Sequence, residues 1–144
     1  MRSFQTDYYA GLAGELASYA ALKGLSGTYL SHSKDPFADF DFFSTDCVIE
    51  LKTRNCFFDN YEDCMIQMLK VMKASQICDH KDVYFAFRYF DGLYYIKYDP
   101  EKFSKYKIHM VKVPDRDGYT EKPEPRMYIP IKDLTLLQRI VVLE

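Results

Sequence analysis

Asp39, Asp41, Glu50 and Lys52 fall within residues 37–54, a stretch whose composition reads as two short strands joined by a turn. Phe40, Phe42, Phe43, Val48 and Ile49 are aromatic or β-branched, and Ser44-Thr45-Asp46 between them is turn chemistry. Side chains alternate along a strand, so Asp39 and Asp41 share one face, as do Glu50 and Lys52. A hairpin loop of even length brings both pairs to the same side and turns Phe40, Phe42, Ile49 and Leu51 to the core on the other. Carboxylates crowded on a half-buried surface repel one another and lose hydration unless a cation joins them. Two or three hard oxygen donors near a lysine suit Mg²⁺ or Mn²⁺, and such a site can lower the pKa of a water and stabilise charge on a phosphoryl oxygen. Asp46 reads as turn only. Arg54, leaving the second strand beside these residues, is a candidate phosphate clamp because guanidinium matches phosphate geometry.

Upstream, Asp7 to Leu22 reads as a helix, with Asp7 as its N-cap and Lys23-Gly24 as its basic, glycine-terminated end. On its helical wheel Tyr8, Leu12, Tyr19 and Leu22 lie within about 60° of Glu15, which places that carboxylate in the middle of the apolar stripe. A carboxylate there needs a metal or a partner.

An Asp ahead of Glu-x-Lys on neighbouring strands resembles the PD-(D/E)XK nuclease superfamily, the restriction-endonuclease-like fold. Asp41 matches the family Asp and Glu50-Leu51-Lys52 the Glu-x-Lys; the literal Pro-Asp is absent, since Asp35-Pro36 runs in reverse order. The resemblance covers roughly the first half of the chain. It implies an α/β fold, a central mixed sheet flanked by helices, with a β-rich C-terminal extension. It also implies hydrolysis of phosphodiester bonds, expected in DNA. Asp41, Glu50 and Glu15 would hold one or two Mg²⁺ or Mn²⁺, Ile49 or Leu51 would lend a backbone carbonyl, and Lys52 would orient the attacking water. Asp39 stays a second candidate for Asp41's place, since in an even-loop register it can lie across from Glu50. The glutamate on the family's opening helix corresponds to Glu15 in Gly11-Leu-Ala-Gly-Glu15. A lysine or glutamine on the helix after Glu-x-Lys corresponds to Lys70, with Gln67 next. The alternative is a non-catalytic accessory protein on the same fold that grips nucleic acid or a partner.

The remaining chain is expected to support this arrangement. Thr28 to Ser31 reads as a strand and residues 32–36 as a loop in which His32 is solvated. Tyr61 to Ser75 reads as a second helix buried through Tyr61, Met65, Met68, Leu69 and Met72. Val83 to Tyr89 and Leu93 to Tyr98 read as a hairpin turning at Asp91-Gly92. Lys102 to Lys112 mixes lysines with Phe103 and Tyr106, read as a solvated short helix and edge strand, or else as a nucleic-acid track. Asp115 to Gly118 is a turn, Glu121 to Pro125 a short extended loop, Met127 to Ile131 a last strand that Pro130 would place at an edge, and Arg139 to Leu143 a tail that can add a strand or pair with a second subunit.

At 144 residues, 48% hydrophobic and 28% charged, the sequence suits one globular domain, residues 1–144. A net charge of −2 argues against a general nucleic-acid binder, though acids gathered in a metal site account for part of it. Cys47, Cys56, Cys64 and Cys78 form no Cys-x-x-Cys pair, which disfavours zinc and leaves free thiols in a reducing cytoplasm. No apolar run is long enough to span a membrane or serve as a signal peptide. A small stand-alone nuclease, phage- or virus-type, fits better than a large restriction enzyme, and cutting two strands would be compatible with a homodimer.

Overall fold

The computed structural model describes residues 4–33, 35, 38–115 and 117–141, and of residues 4–8 the backbone alone. Helix α1 (Phe4–Lys23) leads into three strands, β1 (Ser31–His32), β2 (Phe42–Phe43) and β3 (Cys47–Thr53). A turn of 3-10 helix at Phe58–Asn60 precedes β4 (Asp63–Gln67), which runs directly into α2 (Met68–Ile77). The hairpin β5 (Asp82–Tyr89) and β6 (Gly92–Lys97) follows, then the single turn α3 (Pro100–Phe103), the hairpin β7 (Lys107–Pro114) and β8 (Glu121–Pro130), and β9 (Thr135–Arg139).

Six strands form a mixed sheet in the order β1-β2-β3-β5-β6-β9, and three form an antiparallel sheet in the order β4-β8-β7. The pair β3·β5 is parallel and the other neighbours in the large sheet are antiparallel. A parallel pair needs a crossover, here supplied by β4 and α2. Alternation along β3 divides the core. Cys47, Ile49 and Leu51 meet Leu22, Leu30 and Phe42 on one face, whereas Val48 joins Phe85, Phe87, Val71 and Ala74 on the other. Ile66, Met127 and Ile129 bring the second sheet into that latter cluster, so the two sheets share one core.

The expected α/β fold with a central mixed sheet and a β-rich C-terminal part is the one observed. Several element readings change. Asp7 lies inside α1 rather than capping it, and the strand expected over 28–31 is only Ser31–His32. The segment read as a helix from Tyr61 to Ser75 is a strand followed by a helix. Cys64 and Ile66 alternate inward along β4, while Tyr61, Leu69 and Met72, expected in a buried stripe, are exposed. Val71 and Ala74 are the residues α2 buries. In the β5–β6 hairpin Tyr89 pairs with Gly92, so the turn residues are Phe90 and Asp91, one position earlier than expected.

Residues 121–125, expected as a loop, are the first half of β8. Pro123 and Pro125 are tolerated there because β4 pairs only with Arg126 to Pro130, so one flank of that half needs no donors. Pro130 ends a central strand instead of marking an edge. Phe103 is core and Tyr106 donates a hydrogen bond to Asp133, so neither is free to stack on a base. The turn at Asp115 to Gly118 is present at Asp115, Asp117 and Gly118, the last at φ 77°, with Arg116 outside the described residues. The last strand, β9, comes earlier than the tail expected over 139–143: it is Thr135–Arg139 against β6, and Ile140 and Val141 add no strand. Val142 and Leu143 lie outside the described residues, as do Lys34, Pro36 and Phe37 of the loop before β2. The four cysteines are free.

Candidate active site

Strands β2 and β3 set the geometry. Phe42 pairs with Ile49 and Phe43 with Val48, and Ser44 N–H donates to the Cys47 carbonyl, which leaves Thr45-Asp46 as a loop of even length. Asp46 fixes that loop by accepting from Ser44, Ser26, Thr28 and the Gly27 N–H, bonds that hold its pKa down to about 2. One step beyond the paired residues this register places Asp41, not Asp39, across from Glu50. The Asp41 Oδ2 accepts from the Leu51 N–H at 2.7 Å, which locks the carboxyl against β3.

The backbone around Asp41 is no longer regular strand, and this breaks the expected alternation. Phe40 packs with Val48 in the cluster beneath α2, away from Phe42, Ile49 and Leu51. Asp39 stays exposed, ion-paired with Lys73, and does not join Asp41 and Glu50. That pairing holds its pKa below the usual range.

Glu50 is 4% exposed and sits between two lysines. Lys52 Nζ lies 3.4 Å from its Oε2, and Lys70 Nζ 3.4 Å from its Oε1. At that range Lys70 is an ion-pair partner of Oε1 without completing a hydrogen bond, and Oε1 is one of two buried side-chain oxygens among the described residues that lack one. Lys70 is itself mostly buried, over the Phe40 ring and donating to the Asp39 carbonyl.

Glu15 enters from α1. Its carboxyl lies beside that of Asp41, and the two perturb one another's pKa. Glu15 also meets His32 Nε2 at 3.0 Å, and the His32 ring stacks on Phe42 at 4.8 Å. His32 is therefore part of the constellation, although its position in a loop gave no signal of it. What brings α1 this close is Gly14: a Cβ there would stand 2.2 Å from Thr53 Oγ1. Arg88 adds a tether by donating to the buried Ser18.

Burial is the main cause that raises all three acids, and their mutual charge adds to it. Asp41 is pushed up to about 6, Glu50 to about 7, and Glu15 upward. Buried oxygens that repel one another, one of them without a hydrogen-bond donor, have the chemistry of a site for a hard cation. Among the described residues no three His, Cys, Asp or Glu side chains stand close enough to hold an ion together. Mg²⁺ commonly binds through one or two carboxylates and keeps its waters, so Asp41 and Glu50 across the strand pair fit it without a third.

The remaining candidates lie further along. Gln67 at the end of β4 donates to Glu124 Oε1 at 3.3 Å. Arg54, half-buried, donates to the Met65 carbonyl, and burial lowers its pKa. Both face the second sheet and not the carboxylates.

No helix among the described residues is long and apolar enough to cross a membrane. No match was found among curated proteins or among solved structures. A family model described as "Phage putative PDDEXK endonuclease" matches residues 25–137, a span that holds Asp41, Glu50, Lys52 and Lys70 but begins after Glu15. With most of its length inside that match, and with an acid facing a Glu-x-Lys strand, the chain belongs to this phage PDDEXK endonuclease family.

Proposed function

We propose that the protein is a metal-dependent nuclease that hydrolyses phosphodiester bonds in DNA. The observation that carries this reading is the convergence of Asp41 and Glu50 from adjacent strands, both raised in pKa, with Lys52 and Lys70 on either side of Glu50. Asp41 and Glu50 would hold Mg²⁺ or Mn²⁺, with Glu15 as the group that fixes Asp41. The chemistry such an ion supplies is a water of lowered pKa and stabilisation of charge on the phosphoryl oxygens. Lys52, less buried than Glu50, is the residue free to reach substrate; it hydrogen-bonds the attacking water and steadies the pentavalent phosphorus centre. Lys70 keeps Glu50 ionised when substrate excludes solvent, and it offers a second cation to the scissile phosphate. His32 holds Glu15 in place beside Asp41.

The test is cleavage of plasmid, linear duplex, single-stranded and branched DNA, with an RNA control, in Mg²⁺ or Mn²⁺. Metal-dependent cutting should fall at least a hundredfold in Lys52→Ala and in Glu50→Ala, the scale on which removal of one stabilising group acts. Binding of DNA without cutting under every condition would instead support an accessory protein on the same fold.

A further inference from the structure

Beyond the carboxylates, β3 runs on into a second cavity. Arg54 follows Lys52 by two residues, and its N–H donates to the Arg88 carbonyl, which continues the β3·β5 ladder past Thr53. Two residues of strand advance about 7 Å, one or two nucleotides along a nucleic-acid chain. Arg54 there lines a cavity of about 610 Å³ together with Phe58, Tyr61, Tyr89, Met65 and Tyr128. That volume lies in the range of about 300–1,000 Å³ typical of small-molecule sites.

Two features give the cavity a chemistry. Its walls are aromatic and rigid: Phe58 stacks on Tyr94 at 3.7 Å and meets the edge of Tyr89 at 5.4 Å. Its cation shares the lining with Glu62 and Asp63, both exposed, but pairs with neither. Arg54 makes no ion pair with a carboxylate among the described residues, and its hydrogen bond to the Met65 carbonyl engages one of five donors. A half-buried guanidinium without an ion pair is costly unless an anion reaches it. Flat aromatic walls plus an unpaired guanidinium match a ligand that is planar at one end and anionic at the other.

We infer that this cavity is a nucleotide subsite, taking one unstacked base of the bound nucleic acid against its aromatic wall with the adjoining phosphate on Arg54. The inference rests on the nuclease reading for its setting but concerns binding alone. Base–aromatic stacking contributes about 1–3 kcal/mol per base and tolerates any sequence. Such a subsite would therefore fix the position of the strand next to Lys52 without reading its sequence.

Titration calorimetry in EDTA with a 5′-mononucleotide, the matching nucleoside and inorganic phosphate tests it. The mononucleotide should bind at least tenfold more tightly than either half. Arg54→Gln should remove the advantage over the nucleoside, and Tyr61→Ala, at an exposed position that the fold does not need, should weaken both mononucleotide and nucleoside. If Arg54→Gln does not fold, Tyr61→Ala and the nucleoside comparison decide alone. Mononucleotide binding that neither Arg54→Gln nor Tyr61→Ala alters, or no binding by a wild type that cuts DNA, overturns the subsite and leaves the nuclease standing. Binding with these variant effects in a protein that cuts nothing upholds the subsite and removes the catalytic reading.

Discussion

Glu50 concentrates the site's energetics. Its carboxyl, ordinarily near 4.5, is raised to about 7 by burial first and by Asp41 second, while Lys52 and Lys70 pull the other way. In the unfolded chain it ionises near its ordinary value, so between about pH 4.5 and 7 the folded protein binds more protons than the unfolded one. Stability must then fall as pH rises through that window, and the loss is complete above about pH 7. Asp41, raised from 3.8 to about 6, adds a loss of the same sign. At about 1.4 kcal/mol per pKa unit, Glu50 alone accounts for up to roughly 3 kcal/mol. Thermal melts in EDTA from pH 4.5 to 8 should show the decline, and Glu50→Gln should flatten most of it. A wild type equally stable at both ends would contradict the raised values. Mg²⁺ or Mn²⁺ should recover stability at pH 8 by mass action, much less at pH 5, and not at all in Glu50→Gln.

Among elements, α1 is the one whose position decides whether Glu15 reaches Asp41, and Gly14 is what permits that position. Alanine at 14 would improve helix propensity by about 1 kcal/mol but force its Cβ against Thr53 Oγ1 at 2.2 Å. Thr53 is β-branched and stiff at χ1, so either it or the helix must shift, at a cost of about 1–3 kcal/mol. Gly14→Ala should thus lower the melting temperature and weaken cleavage, and adding Thr53→Ala should restore both. A single variant as stable and active as wild type would show that the close approach is not needed. This same region marks how far the sequence could be read. The even-length loop and Glu15's place on a helix were legible because turn chemistry and helical periodicity are local rules, whereas the choice between Asp39 and Asp41 opposite Glu50 waited on the strand register. His32 was not, because its partner Glu15 lies seventeen residues away on another element. The strand β4 was missed for a related reason. Cys64 and Ile66 carry a weak period of two, and the methionines beside them happen to fall at helical spacing until β8 claims the segment as a strand.

Across the whole molecule, stability should be distributed as unevenly as the packing. β3 and β5 lie between the two core clusters, with residues of both contributing to each. The outer half of the β7–β8 hairpin has no such support. Residues 110–114 and 121–125 pair only with each other, beyond the last β4 partner at Arg126, and Met110 is 63% exposed. An isolated two-stranded ribbon is marginal in water, so this half persists mainly because its base is anchored by Met127 and Ile129. Native-state hydrogen exchange should therefore divide the chain. Amides of β3 and β5 should exchange only through global unfolding, and those of the outer ribbon through local opening at a small fraction of that free energy. Outer-ribbon amides as protected as those of β5 would mean that the ribbon is packed in solution against something else, a second subunit being the first to look for by light scattering. If instead the division holds, the ribbon is a compliant arm attached through β4 to the same crossover that carries Lys70. Its Lys122 then moves without disturbing the Asp41–Glu50 pair, which rests on the rigid strands.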